Sequence, residues 1–214
     1  MADNYLENRF EETHGKNARK VVVKRVGQTL DSLLKKNRSH RGYDVNYPVT
    51  ADMLKKIVGV NCLLSSARNQ QVLRFKLVTG ENGAEQMLKN VKMGGALPEL
   101  HLPFPGTEPG AYIIVCSSVT PNPMVYVDAG ISVQSMLLKA VDLGLNGIVI
   151  AAFNKTEIQR DFSLPYEPIL VVAIGKGTEK IECVPIEPSE SHAYYRKEGV
   201  HYVPKLTLDS LLIL

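Results

Sequence analysis

Three short stretches hold most of the polar residues that could do chemistry. The first is Arg38-Ser39-His40-Arg41, which places two guanidiniums and a hydroxyl within four residues. Arginine donates through a planar fork that matches phosphate oxygens, so this stretch could grip a phosphate. Taken alone, it fits a solvated basic turn better. The second is Ser65-Ser66-Ala67-Arg68-Asn69-Gln70-Gln71. Its amides offer both donors and acceptors, which suits a sugar-like chain or a heterocycle edge. A capped helix end running into a turn explains it equally well. The third runs from Asp128 through Gln134 to Ala140, then Leu143-Gly144-Leu145-Asn146-Gly147 and an apolar run to Phe153. By itself it reads as architecture: a buried helix, a glycine turn and a core strand.

Other chemistry lacks its motif. The chain has no G-x-x-x-x-G-K-[ST] phosphate loop and no G-x-S-x-G elbow, and Gly175-Lys176-Gly177 is only a turn after an apolar run. The five histidines never reach H-x-x-x-H or H-x-E spacing, so no metal site is expected. A dispersed Ser/His/Asp triad has no local support. The remaining loops are rich in Arg, Ser, Asn and Gln, without an obvious acid or nucleophile. That is the pattern of an enzyme whose cofactor carries the chemistry, and no catalytic side chain is assigned.

The bulk composition bounds the class. A chain of 214 residues with 44% hydrophobic and 22% charged residues can bury a proper core and is not a disordered type. A net charge of +3 is weak support for nucleic acid, and a few cations around a phosphate explain it as well. Cys62, Cys116 and Cys183 show no metal or redox spacing, which points to a reducing, cytoplasmic setting. Cys62 and Cys116 lie in apolar runs and are expected to be buried. The polar N-terminus is no signal peptide, and the apolar runs 147–153 and 169–175 are too short to span a bilayer. No membrane or nucleic-acid partner is expected.

The elements that must position these stretches follow from periodicity. Helices are expected over 3–13, 21–36, 50–62 with Thr50 as cap, 126–143 ended by Gly144, and briefly after Thr156. Strands are expected over 72–79, 111–118, 147–153 and 169–175, the second apolar enough to be central. The tail from Lys180 carries three prolines and reads as an arm wrapping around something. Strands alternating with helices give an α+β fold, a mixed central sheet flanked by helices. The wide apolar face of 126–143 suggests burial on more than one side, including against another subunit.

In this order and spacing, the three stretches resemble the nitroreductase family of FMN flavoproteins. The resemblance runs from about Leu33 to the C-terminus. It implies a nitroreductase-like fold in residues 31–214, with residues 1–30 as a separate helical segment, and a domain-entwined homodimer. It also implies FMN as cofactor and NADH or NADPH as donor. By the resemblance, Arg38 serves the FMN phosphate, with Ser39 in the same motif, and Arg41 sits near the pyrimidine edge of the flavin. Ser66, Asn69 and Gln71 touch the flavin or its ribityl chain, from the partner subunit. Ile150, Ala151 and Ala152 meet the ring through their backbone, and Lys205 of the C-terminal arm helps hold the phosphate.

The sequence departs from the family pattern at several positions. Asn37 stands where the motif has its first Arg, Ser65 replaces a Pro, Val72-Leu73 replaces Pro-Trp, and Ala151 takes a position where some members have Glu. The resemblance implies ping-pong transfer of electrons from the nicotinamide to a small acceptor such as a nitroaromatic or quinone. Another redox reaction on the same scaffold, a non-catalytic flavin or nucleotide module, and a plain basic interaction protein are the competing readings.

Overall fold

One strand buried on both faces organises the molecule. In the computed structural model, which describes residues 27–95 and 97–213, β2 (Ala111–Ser117) is buried at every residue. It lies inside a four-stranded sheet of order β1-β2-β4-β3, with β1 Leu73–Thr79, β3 Asn146–Ile150 and β4 Glu167–Gly175. Successive side chains of a strand point to opposite faces. Ile113 and Val115 of β2, with Val172 and Ile174 of β4, therefore face one apolar cluster. Tyr112, Ile114, Val171 and Ala173 face the other, with Ile148 and Ile150 of β3. The first face is covered by α2 (Ala51–Val58) and α4 (Pro123–Asp142), through Leu54, Ile57, Met136 and Ala140. The second is covered by α3 (Ala84–Lys89) and α5 (Lys155–Asp161), through Ala84, Met87 and Ile158. Each fully buried Ile, Leu or Met side chain contributes about 1.5–3 kcal/mol.

The expected mixed central sheet is corrected, because all three pairings within it are antiparallel. The strand–helix–strand reading of β2, α4 and β3 is sound, since β2 and β3 both run antiparallel to β4 and so parallel to each other. β4 inserts between them, so they share no ladder. A single parallel bridge, Ser39 to Gly147, lies outside the named strands.

Several boundaries move for local reasons. α1 is Leu30–Lys36, capped by Thr29, whose side chain accepts from the Ser32 N–H; of the helix predicted over 21–36, residues 21–26 lie outside the described residues and 27–29 are not helical. The predicted 3–13 helix lies outside the described residues. α2 is capped by Thr50 as expected, but after Val58 the chain tightens into a 3-10 turn, Gly59–Leu63. Three residues per turn carry Cys62 off the apolar face, so it is exposed, while Cys116 is buried as expected. α4 starts at Pro123, where the Asn122 side chain accepts from the N–H groups of Met124 and Val125, and it ends at Asp142, with Leu143 as its cap and Gly144 following at φ +78°. This helix is long and apolar enough by composition to cross a bilayer, yet half of its most apolar stretch is buried inside the protein. It is the main core helix, and it leaves Met124, Tyr126, Val127 and Ile131 exposed. Asn154, not Thr156, caps α5. β3 ends at Ile150, so Ala151, Ala152 and Phe153 lie beyond it.

The tail is the largest correction. It folds into a second sheet of order β5-β7-β6, followed by the short helix α6 (Leu208–Leu211). β5 (Lys180–Ile186) runs parallel to β7 (Val200–Leu206), and β6 (Tyr195–Lys197) is antiparallel to it. Pro185 and Pro204 hid these strands from a periodicity reading. Both are tolerated, since β5 is an edge strand and β6 covers β7 only over Val200, His201 and Tyr202, leaving one edge open at Pro204.

Candidate functional site

The second sheet builds the site. Alternation along β7 puts His201, Val203 and Lys205 on one face, and the register sets Ile181 of β5 beside His201. These four, with Tyr194 and the loop residues Asn37, Arg38, Ser39 and Arg41, line a cleft of about 280 Å³. Arg38, Ser39, Arg41 and Lys205 are thus brought together from opposite ends of the described chain.

The Arg38–Arg41 loop is not a solvated turn. His40 and Arg41 are only 7% and 8% exposed. The His40 N–H donates to the Gly147 carbonyl at 3.2 Å, which ties the loop to β3. The Tyr43 hydroxyl donates to the His40 carbonyl at 2.7 Å. Gly177, in the turn after β4, lets the His40 ring lie against its backbone, where a Cβ would overlap the imidazole.

Glu179 joins this loop to the second sheet. Its carboxylate accepts from the backbone N–H of Arg41 and from that of Gly42 at 3.2 Å. It also pairs with the Arg196 guanidinium of β6 and lies 4.0 Å from His40 Nδ1. The Arg41 guanidinium donates to the Ser39 carbonyl at 3.0 Å and lies 5.0 Å from the centre of the Tyr194 ring. Arg38 donates to the Leu34 carbonyl at 2.7 Å and to Cys183 Sγ at 3.0 Å.

Donors remain unused. Among the described residues, Arg38 Nε, Arg41 Nε and His201 Nδ1, all on cleft-lining side chains, are buried without a hydrogen-bond partner. Buried polar groups are rarely left so, because each costs about 1–3 kcal/mol. Arg38, Arg41 and Lys205 surround the space, while the nearby carboxylate of Glu179 is engaged with Arg196. The cleft is built for an anion with several acceptor oxygens, such as a phosphate. Burial and the Arg41 charge hold His201 below the ordinary histidine range, with Arg196 adding to the shift and Glu179 opposing it. Burial likewise lowers His40, where Glu179 opposes the shift and Arg41 and His201 reinforce it.

The second stretch lies elsewhere. Ser65, Ser66 and Gln71 line a different cleft, of about 190 Å³, with Asn61, Asp128 and Ser132 among its walls. The Ser66 hydroxyl accepts from the Gln71 N–H at 3.1 Å, and the Gln71 amide donates to Asn69 Oδ1 at 3.0 Å. Arg68, Asn69 and Gln71 all hold left-handed φ values, at 52°, 55° and 50°. Asp128, 6% exposed, anchors the loop by accepting from the Ala67 N–H at 2.9 Å. The two clefts share no residue.

The third group lines neither cleft. The Ile150 side chain is committed to the core, and Ala151 and Ala152 are exposed beyond the strand end. The Ala152 carbonyl accepts from the Lys92 N–H at 2.8 Å. Sequence reasoning missed Glu179, Tyr194, Arg196 and His201 because it saw no second sheet. The alternation of His201, Val203 and Lys205 was the available signal.

Comparisons with known proteins agree with this architecture. A family model described as the nitroreductase family matches residues 34–176, more than half of the chain. A Bacillus subtilis (strain 168) protein, YodC, named as an NAD(P)H nitroreductase, is 23% identical over 186 residues, covering 71% of this chain and 90% of the relative. A nitroreductase family protein from Clostridium difficile 630 has a similar fold, with a TM-score of 0.56 and 24% identity, covering 71% of this chain and 86% of the other. A structure from Exiguobacterium sibiricum 255-15, named as a nitroreductase in complex with FMN, gives a TM-score of 0.58 at 18% identity, covering 71% and 90% of the two chains.

Proposed function

Because the chain belongs to the nitroreductase family, we propose that it holds FMN, with the phosphate in the Arg38–Lys205 cleft, and passes electrons from NADH or NADPH to a small acceptor. One observation carries this reading. Arg38, Ser39, Arg41 and Lys205 converge on one cleft, and the Nε atoms of both its arginines are buried without partners. The neighbour named in complex with FMN and the relative named for NAD(P)H support the choice of cofactor and donor.

When bound, FMN supplies the redox chemistry, taking two electrons from the nicotinamide and giving them in a separate half-reaction to an acceptor such as a nitroaromatic or quinone. The chain binds and orients. Arg38 and Lys205 neutralise the phosphate, and Arg41, fixed by Ser39 and Tyr194, adds a further guanidinium. No side chain has to act as a general acid.

The Ser66–Gln71 loop, whose cleft shares no residue with the basic one, is read as reaching the same ligand from a second copy of the chain. The exposed Met124, Tyr126, Val127 and Ile131 of α4 offer an apolar face for that copy. A homodimer follows from this reading.

The test is a visible spectrum of the purified protein, with release and identification of any chromophore, beside its mass in solution. A dimer releasing about one FMN per chain is expected. Arg38→Ala with Lys205→Ala should weaken FMN binding by about 100-fold or more, since each charge-assisted contact contributes about 1.5–3 kcal/mol. Riboflavin, without the phosphate, should bind both proteins alike. Full FMN occupancy in the double variant would remove the phosphate assignment.

A further inference from the structure

The phosphate reading leaves one buried side chain of the cleft without a task. His201 is 2% exposed, and its Nδ1 is buried with no hydrogen-bond partner among the described residues. Its ring is held edge-on to Tyr194, with centroids 5.1 Å apart, so it is positioned rather than loose. It lies on the cleft face of β7, two residues from Val203 and four from Lys205, both of which line the same cleft. We propose that His201 is an anion ligand of this cleft and that it takes up a proton when the phosphate binds, donating a charged hydrogen bond from its ring.

The surrounding charges make this coupling follow. Arg196 faces His201 from β6 and Tyr194 from just before it, Arg41 and His40 from the loop, Glu179 from just before β5, and Arg38 and Lys205 from the cleft walls. With the cleft empty of anion, the cations outnumber the one carboxylate, and protonating the ring would add a further buried charge. Burial and Arg41 accordingly keep it neutral, below the ordinary histidine range. A dianionic phosphate reverses the balance. It offsets Arg38, Arg41 and Lys205 and presents acceptor oxygens to the orphaned ring nitrogen. The imidazolium is then favoured, and the proton comes from solvent.

His40 is the obvious competitor. It is also buried with an unpartnered Nδ1, but that atom lies 4.0 Å from the Glu179 carboxylate and His40 does not line this cleft. Of these two buried rings, His201 lines the cleft and His40 faces the Glu179 carboxylate. His201 adds a titrating donor to the arginine and lysine contacts of the cleft.

This inference rests on FMN binding in the cleft, and the experiment separates the two. FMN binding to the wild-type protein is measured by calorimetry at pH 7 to 9 in buffers of different ionisation enthalpy. Above pH 7 the phosphate stays essentially dianionic, its second pKa being about 6, so the proton count reports the protein. The wild type should take up a proton on binding FMN. Its affinity should fall by up to about tenfold per pH unit while that uptake lasts. His201→Asn, which keeps a neutral donor near the Nδ1 position, should bind FMN with no such uptake and a flat profile. Riboflavin should show no uptake with either protein. Histidine NMR of the wild type gives the same answer without a variant, the His201 ring being neutral before FMN and protonated after. FMN binding without proton uptake overturns this inference alone, as does uptake that persists in His201→Asn and vanishes in His40→Asn. A wild type that binds no FMN overturns both readings.

Discussion

Replacing Glu179 by alanine should destabilise the protein by about 3–5 kcal/mol, the cost of breaking a buried charge pair by removing one partner. The carboxylate is 10% exposed and serves three donors: the Arg41 N–H, the Gly42 N–H and the Arg196 guanidinium. The two backbone donors lie in a buried loop, and leaving each unsatisfied costs about 1–3 kcal/mol. Arg196 is 27% exposed and recovers part of its loss in water, so the three costs do not simply add. Glu179→Gln keeps an acceptor and loses the charge, and should cost about 1–2 kcal/mol. Urea unfolding is the assay. For a chain of this size, ~2–4 °C of Tm per kcal/mol makes the alanine variant melt about 6–20 °C lower. An alanine variant within about 0.5 kcal/mol of wild type would refute the claim that Glu179 ties the Arg38–Arg41 loop to the second sheet.

Gly177→Ala should cost about 1–3 kcal/mol by overpacking, because the new Cβ overlaps the His40 ring, and His40→Ala in the same chain should recover part of that loss in urea unfolding. The lowered pKa of His40 and of His201 makes stability fall as pH drops below about 6.5, since there the unfolded chain binds protons that the folded one excludes. Thermal unfolding between pH 5 and 8 should show that loss, and an unchanged Tm across this range would count against neutral burial of the two rings. Burial pushes the Cys116 thiol up to about 11, so a thiol reagent at neutral pH should modify the exposed Cys62 and Cys183 in the folded protein and reach Cys116 only on unfolding.

How much was legible in the sequence differs along the chain. Patterns confined to one element were readable. The apolar faces of α2 and α4, the Thr50 cap and the Gly144 stop are set by neighbours a few residues away. The continuous apolar run of β2 marks a central strand because only a strand covered on both faces can bury every residue. The order of the motifs was enough to point to the family. Boundaries failed where a local competitor was stronger, as when Asn154 rather than Thr156 capped α5 and when the 3-10 turn carried Cys62 to the surface.

The tertiary structure decided what depends on residues far apart in sequence. The insertion of β4 between β2 and β3, which makes the central sheet antiparallel, is a choice of partner that periodicity does not encode. The second sheet was hidden by Pro185 and Pro204, whose cost depends on which strand edge is left open. Arg38 and Lys205 were nominated by type and motif order, but their meeting in one cleft depends on the pairing of β5 with β7. Glu179 and His201 became visible only there, as a shared acceptor and an orphaned donor. A residue's type fixes which hydrogen bonds and charges it can offer, whereas only the folded chain fixes which of them are met, and a buried group left unmet is what marks the site.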